Sequence, residues 1–296
     1  AKPLGDRAGR LTAGEFRAVN VTDLLTEGGK RLARASAGRL EAEILLCHVL
    51  RVNRAWLYAN GERAAPAEAV ARYRRLIDRR GAGEPIAYLV GTREFWSLDL
   101  NVTPDVLIPR PETELLVETA LAFIPVEARW RIADIGTGSG AVALAIAAER
   151  RQCEIHATDS SKAALALAIE NGERLLPGRV TFHAGSWLQP LKGRFRAIVS
   201  NPPYIAEGDR HLDAGDCRFE PRMALTPGAD GLAAIRAITS QAPAYLEAGG
   251  MLALEHGFDQ AHKVRGLLKT AGFVDRVTHQ DLQGLDRVTS GYLRQG

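Results

Sequence analysis

The chain has 296 residues, of which 46% are hydrophobic and 25% charged, with a formal net charge of +3. That length and composition suit one large soluble domain or two smaller ones, each with a proper core. Three dispersed cysteines (Cys47, Cys153, Cys217) and seven histidines without paired spacing argue against a disulfide framework and against a metal centre. They also favour a reducing compartment, so the cytoplasm is the expected location.

Residues 1–20 are basic and rich in Gly and Arg, with no apolar run; they read as a disordered leader rather than a secretory signal. Residues 21–83 predict an all-helical domain. Leu24, Leu25 and Leu32, then Leu40, Ile44, Leu45 and Val49, then Val70, Tyr73, Leu76 and Ile77 recur at helical spacing. Pro66 opens the last of these helices and glycines close it. This front end is basic, with 16 Lys/Arg against 9 Asp/Glu in residues 1–83 and 22 against 26 in the rest. Such a bias suits a partner near nucleic acid, or simply solvated helix faces beside a flexible tail.

Residues 84–112 predict a linker with a β-hairpin. Phe95, Leu98, Leu100 and Val102 form one arm, Val106 and Ile108 the other, and Thr103-Pro104-Asp105 the turn. "TELLVETALAFI" follows as a helix. From Arg131 onward strand patterns alternate with helix patterns through residue 296, which predicts an α/β, doubly wound, mostly parallel sheet over residues 113–296. The most apolar window, Ile132–Ala148, is interrupted by Asp134 and three glycines and is too short and broken to span a bilayer.

Within that region "IADIGTGSGAVALAIA" runs strand, glycine loop, helix. Gly136, Gly138 and Gly140 allow a tight turn and close approach of a ligand to the backbone, with Thr137 and Ser139 between them. The spacing also fits a dinucleotide loop, whereas a phosphate loop and a nucleophile elbow are both absent. Asp159 ends the next strand, where a carboxylate can accept from both hydroxyls of an adenosine ribose or cap the following helix. Trp187, after the third strand, can border an adenine ring or fill the core. Together these residues point to adenosine, without deciding between phosphate and sulfonium beyond it.

"VSNPPYIAEG" (Val199–Gly208) narrows the choice. A strand ends in Asn201, and Pro202 and Pro203 fix the backbone of the corner, since residues before proline are confined to extended geometry. The Asn201 side-chain carbonyl and the Pro202 backbone carbonyl are two fixed acceptors, and Tyr204 can lie against what they hold. Such a corner suits a planar, conjugated –NH₂ group. Orienting that poor nucleophile against a fixed electrophile can lower the barrier by up to about 7–11 kcal/mol. Acceptors that tighten as the N–H groups acidify favour the transition state, so no strong base is needed.

In these motifs, "DIGTGSG", "ATDSS" and "NPPY", the chain resembles the class I S-adenosylmethionine methyltransferases that act on planar nitrogens. "EPIAYLVGTREFWSLDLNVTPDVLIPRPETELL", "FEPRMAL" and "GGMLALEHG" make the resemblance nearest to the peptide chain release factor glutamine methyltransferases. The resemblance implies a seven-stranded Rossmann-like sheet behind a helical substrate-recognition domain. It implies S-adenosylmethionine held by Gly136, Thr137, Gly138, Ser139, Gly140, Asp159, Trp187 and Asn201. Asn201, Pro202 and Tyr204 would be catalytic and, with Pro203, would enclose the substrate. That substrate would be the glutamine of the Gly-Gly-Gln motif of class 1 release factors, methylated on its side-chain nitrogen, with no metal, membrane or nucleic acid required. Arg110 and Glu112 would shape the cofactor mouth. Alternatives are a ribosomal-protein glutamine methyltransferase and an adenine-N6 or guanine-N2 nucleic-acid methyltransferase, although no target-recognition domain or long basic stripe is present. A nicotinamide oxidoreductase would leave the proline corner without a task. A silent adenosine-binding module is the non-enzymatic alternative.

Overall fold

The computed structural model describes residues 19–33 and 37–294; the expected leader lies almost wholly outside the described residues. The chain divides into two compact units, one ending at Ala82 and the other beginning at Gly83.

The first unit is helical: α1 (Val21–Arg31), α2 (Gly38–Leu50), α3 (Arg54–Ala59) and α4 (Ala67–Gly81). Asn20 and Asn53 cap α1 and α3, their side-chain oxygens accepting from Asp23 N (2.7 Å) and Trp56 N (2.9 Å), as good N-caps do. Leu24, Leu25, Leu45, Leu57, Tyr73 and Ile77 form the core. The expected stripe on α2 is shifted, because Ala42, Leu45, Leu46 and Val49 are buried while Leu40 is 42% exposed. That helix is apolar nearly all round, so spacing alone could not choose its inner face. Several of the unit's basic side chains are paired with its acidic ones. Arg74 grips Glu27 on α1, Arg80 grips Glu41 on α2, and Arg54 and Tyr58 both donate to the buried Glu43.

The second unit opens with α5 (Ile86–Val90) and the hairpin β1 (Thr92–Phe95) and β2 (Leu98–Asn101). The hairpin turn lies at Trp96-Ser97, not at Thr103-Pro104-Asp105. Trp96 and Ser97 both adopt left-handed backbone (φ 52° and 57°), the geometry of a two-residue turn that matches strand twist. Neither residue type announces such a turn, whereas Pro104 does. Glu94 and Glu114 stabilise it by accepting from Ser97 N (2.8 Å) and Trp96 N (3.1 Å). Val106 and Ile108 belong to an irregular segment buried beside Ala164 and Leu167.

The remainder runs α6 (Glu114–Phe123), β3 (Arg131–Ile135), α7 (Ala141–Glu149), β4 (Glu154–Asp159), α8 (Lys162–Leu175), β5 (Val180–Ala184) and β6 (Phe195–Ser200). It continues with α9 (Arg222–Leu225), α10 (Ala233–Tyr245), β7 (Leu246–Glu255), α11 (Ala261–Thr270), β8 (Phe273–Gln280) and β9 (Asp286–Leu293). The seven strands lie in the order β5-β4-β3-β6-β7-β9-β8, parallel as far as β7, with β9 antiparallel to β7 and to β8. Side chains alternate across the sheet. Ile132, Ala157 and Val199 join α6 and α7 in one core layer, and Ile135, Ile198 and Leu252 join α10 and α11 in the other. The strand order reverses between β3 and β6. There the connecting helices leave to opposite faces and open a crevice at the carboxyl ends of the strands.

Candidate active site

The glycine loop after β3 is built from both sides. The amides of Gly136 and Thr137 both donate to Thr158 O on β4, each at 2.9 Å, and Gly140 N closes a turn on Thr137 O. Gly136, Gly138 and Gly140 all have positive φ (72°, 57° and 87°), a conformation that costs other L-residues roughly 1–2 kcal/mol each. Asp134 fixes the loop from beneath. Its Oδ2 accepts from the Thr137 hydroxyl (2.6 Å) and from Ala143 N (3.1 Å) at the start of α7. Burial pushes the Asp134 carboxyl up to about 6, against those two bonds.

Asp159 holds two loops together. Its Oδ2 accepts from Gly138 N (2.9 Å) and its Oδ1 from Ser161 N (2.8 Å). It does not cap α8 directly, since Ser161 is the capping residue. Burial raises its pKa, opposed by those backbone donors. Each oxygen retains a further lone pair. Trp187 has left-handed backbone (φ 50°) and is held by the Thr158 hydroxyl, which donates to its carbonyl (2.9 Å).

These elements enclose a cavity of about 420 Å³ whose wall includes Gly136, Gly138, Asp159, Trp187, Asn201 and Pro203. Thr137 and Ser139 line it too, but Gly140 does not. A Cβ at Gly140 would instead meet Leu144 and Ala168, so its task is close packing of α7 against α8. A second recess, of about 110 Å³, is lined by Pro202, Tyr204, Arg110 and Cys217, and shares Asn201 and Pro203 with the first. The proline corner therefore forms the wall between two spaces.

Asn201 donates Nδ2 to the Thr113 hydroxyl oxygen (3.1 Å), which leaves Oδ1 as its remaining acceptor. The Tyr204 hydroxyl donates to Glu255 Oε1 (3.2 Å), and its carbonyl accepts from Gln260 Nε2 (2.9 Å). Burial, reinforced by Glu255, raises the Tyr204 pKa, so this phenol stays protonated. Burial likewise holds Cys217 as a thiol.

Arg110 is placed differently from its expected role. It lines the small recess rather than the larger cavity, and Glu112 lines neither. Arg110 donates to Glu220 Oε2 (2.5 Å), while Glu220 Oε1 accepts from Ile108 N (3.0 Å). Four residues essential to this geometry, Thr113, Asp134, Glu220 and Glu255, had no role assigned from sequence. A carboxylate set in an apolar strand was the available signal for Asp134 and Glu255. For Thr113 no local signal existed. Among the described residues, no group of three or more His, Cys, Asp or Glu is arranged to hold a metal, and no helix is long and apolar enough to cross a membrane.

The Arg110–Glu220 pair makes a test. Burial raises the Glu220 pKa, with Arg110 as the main opposing influence. Arg110→Met should destabilise the protein by about 2–3 kcal/mol at pH 8, somewhat below the cost of breaking a fully buried pair because Arg110 is partly exposed. The loss should be smaller at pH 5. Without its cation, native Glu220 keeps a proton that the unfolded chain releases, so stability falls as pH rises between the two pKa values. Urea denaturation at both pH values measures this.

Comparison with known proteins agrees with this architecture. A family described as PrmC N-terminal domain matches residues 23–91, and one described as methyltransferase small domain matches residues 111–220. A release factor glutamine methyltransferase of Xylella fastidiosa (strain 9a5c) is 50% identical over 269 residues, covering 90% of this chain and 96% of that protein. One of Yersinia pestis is 49% identical over 273 residues, covering 92% and 99%. Among solved structures, a methyltransferase from Pyrococcus furiosus shares the fold, with a TM-score of 0.51 at 17% identity over 76% of this chain and 99% of that one. With half its residues in common with such relatives along nearly their full length, this chain belongs to the release factor glutamine methyltransferase family.

Proposed function

We propose that the protein transfers a methyl group from S-adenosylmethionine to the side-chain amide nitrogen of the glutamine in the Gly-Gly-Gln motif of class 1 peptide chain release factors. The observation that carries this reading is the shared wall: Asn201 and Pro203 border both the larger cavity and the small recess. Two ligands can thus meet at one fixed side chain.

The larger space fits the cofactor. Its volume of about 420 Å³ lies within the range of small-molecule sites, and the bare backbone at Gly136 and Gly138 leaves room that a side chain would take. Asp159 would accept from the ribose hydroxyls with its remaining lone pairs, and Trp187 would border the adenine. When bound, S-adenosylmethionine supplies an electrophilic methyl group on sulfonium.

The recess suits a short, flat, neutral side chain. Asn201 Oδ1 and the Pro202 carbonyl would accept the two hydrogens of the glutamine –NH₂ group, with Tyr204 enclosing it. Both acceptors bind more strongly as that nitrogen loses electron density. The nitrogen's surplus proton becomes strongly acidic and passes to solvent without a dedicated base. The helical first unit would engage the rest of the release factor.

Methyl transfer from labelled S-adenosylmethionine to purified release factor, to ribosomal protein and to RNA separates the candidate substrates. Label is expected on the release factor alone, and lost when its Gly-Gly-Gln glutamine is replaced. Asn201→Ala should lower kcat by about 10²–10³, the scale of removing one well-placed polar contact; near-normal turnover would count against the proposed grip. Asp159→Ala should weaken cofactor binding about 10–100-fold, the value of one or two charge-assisted hydrogen bonds, with a smaller effect on kcat. Calorimetry with S-adenosylmethionine measures it.

A further inference from the structure

An amide oxygen and an amide nitrogen have the same shape, so packing cannot decide which one Asn201 turns to the ligands. Only the direction of its hydrogen bonds can. Its partner, the Thr113 hydroxyl, could donate to Asn201 Oδ1 as readily as it accepts from Nδ2, and the former would leave the wrong atom facing the recess. Some group must draw the Thr113 proton elsewhere.

Glu255, at the end of β7, is placed to do this. It is 1% exposed, and Oε2 is buried without a partner at hydrogen-bonding geometry. Oε1 accepts from Tyr204, the other end of the proline corner, and the Thr113 hydroxyl stabilises the charged form of the same carboxyl. Thr113 is itself buried, at 4% exposure. An ionised carboxylate accepts from both hydroxyls and donates to neither, which no other side chain of this size does.

Building on the function proposed above, we infer that Glu255 is the positioning residue of the reaction. Its carboxylate draws the Thr113 and Tyr204 hydroxyl protons toward itself and so locks the Asn201 amide with Oδ1 toward the substrate nitrogen. The same carboxyl restrains the Tyr204 ring, so one buried group orients both ends of the corner. A protonated Glu255 competes as a donor and releases that lock. Burial pushes this carboxyl up to about 7. The groups facing it are Thr113 and Glu112 before α6, Tyr204 in the corner and Arg287 on β9. The neighbouring His256 is turned to Gly257 O and Thr289. Because the ionised form is the orienting one, the methyl-transfer rate should fall as pH drops through this pKa.

Single-turnover methylation of the release factor across pH 5.5–9 tests the inference. Glu255→Gln should lower the rate by up to about 10²-fold, the scale of a misplaced reactant, and abolish the acid limb. Calorimetric affinity for S-adenosylmethionine should stay within about twofold, as for a residue outside the cofactor contacts. Tyr204→Phe keeps the ring but removes a donor that lowers the Glu255 pKa, so its acid limb should move to higher pH. A wild-type rate in Glu255→Gln, or the same acid limb in both, overturns the inference. If Glu255→Gln does not fold, an unmoved limb in Tyr204→Phe overturns it. No turnover by the unaltered enzyme would instead refute the functional reading on which the inference rests.

Discussion

The site depends on β3 and β6 being neighbours in the sheet while the chain leaves them toward opposite faces. That reversal opens the crevice, and no local side chain creates it. The glycine loop then enters from β3 and the proline corner from β6, one strand apart, with their ends held at the same height by the parallel register of Ile132–Asp134 against Ala197–Val199. Each is rigid before a ligand arrives. The loop is tied to Thr158, Asp134 and Asp159, and the corner is fixed covalently by two prolines. Prearrangement of this kind lowers the entropic cost of bringing two reactants together.

Buried and half-buried carboxylates are the recurrent means of construction. Asp134 holds the loop to α7, Asp159 joins it to the next strand's end, Glu220 anchors the segment carrying Ile108 and Arg110, and Glu255 gathers the corner. Burial raises the pKa of all four. A carboxyl that is a weaker acid in the native state binds protons that the unfolded chain has released, so its contribution to stability falls as pH rises through the interval between the two values. For Asp134 and Glu255 that interval ends at about 6 and about 7. These groups thus detract from stability near neutrality, which is the behaviour expected of parts retained for geometry.

How much of this was readable in the sequence depended on distance along the chain. The glycine loop, Asp159 and the proline corner each lie within one strand–turn unit, and their residue types disclose the backbone geometry required. Asn201's partner is 88 positions away, Tyr204's is 51, and Ile108's is 112. No local pattern encodes such pairings, so Thr113, Glu255 and Glu220 emerged only with the fold. The turn at Trp96-Ser97 escaped for a different reason. Its left-handed backbone is imposed by surrounding bonds on residues that do not favour it, while Pro104 offered a more conspicuous breaker nearby. Arg110 opens onto the small recess because its direction is set by the distant Glu220. Gly140, grouped with Gly136 and Gly138 by spacing, lies outside the cavity wall and packs closely on Leu144 and Ala168.

Cys217 in the wall of the recess carries one more consequence. Sulfur is intrinsically a far better nucleophile than an amide nitrogen, and it lies beside the corner to which an alkylating agent would be presented. Its reactivity resides in the thiolate, and desolvation holds the residue in the neutral form. Desolvation therefore keeps the sulfur beside the corner in its less reactive, protonated form.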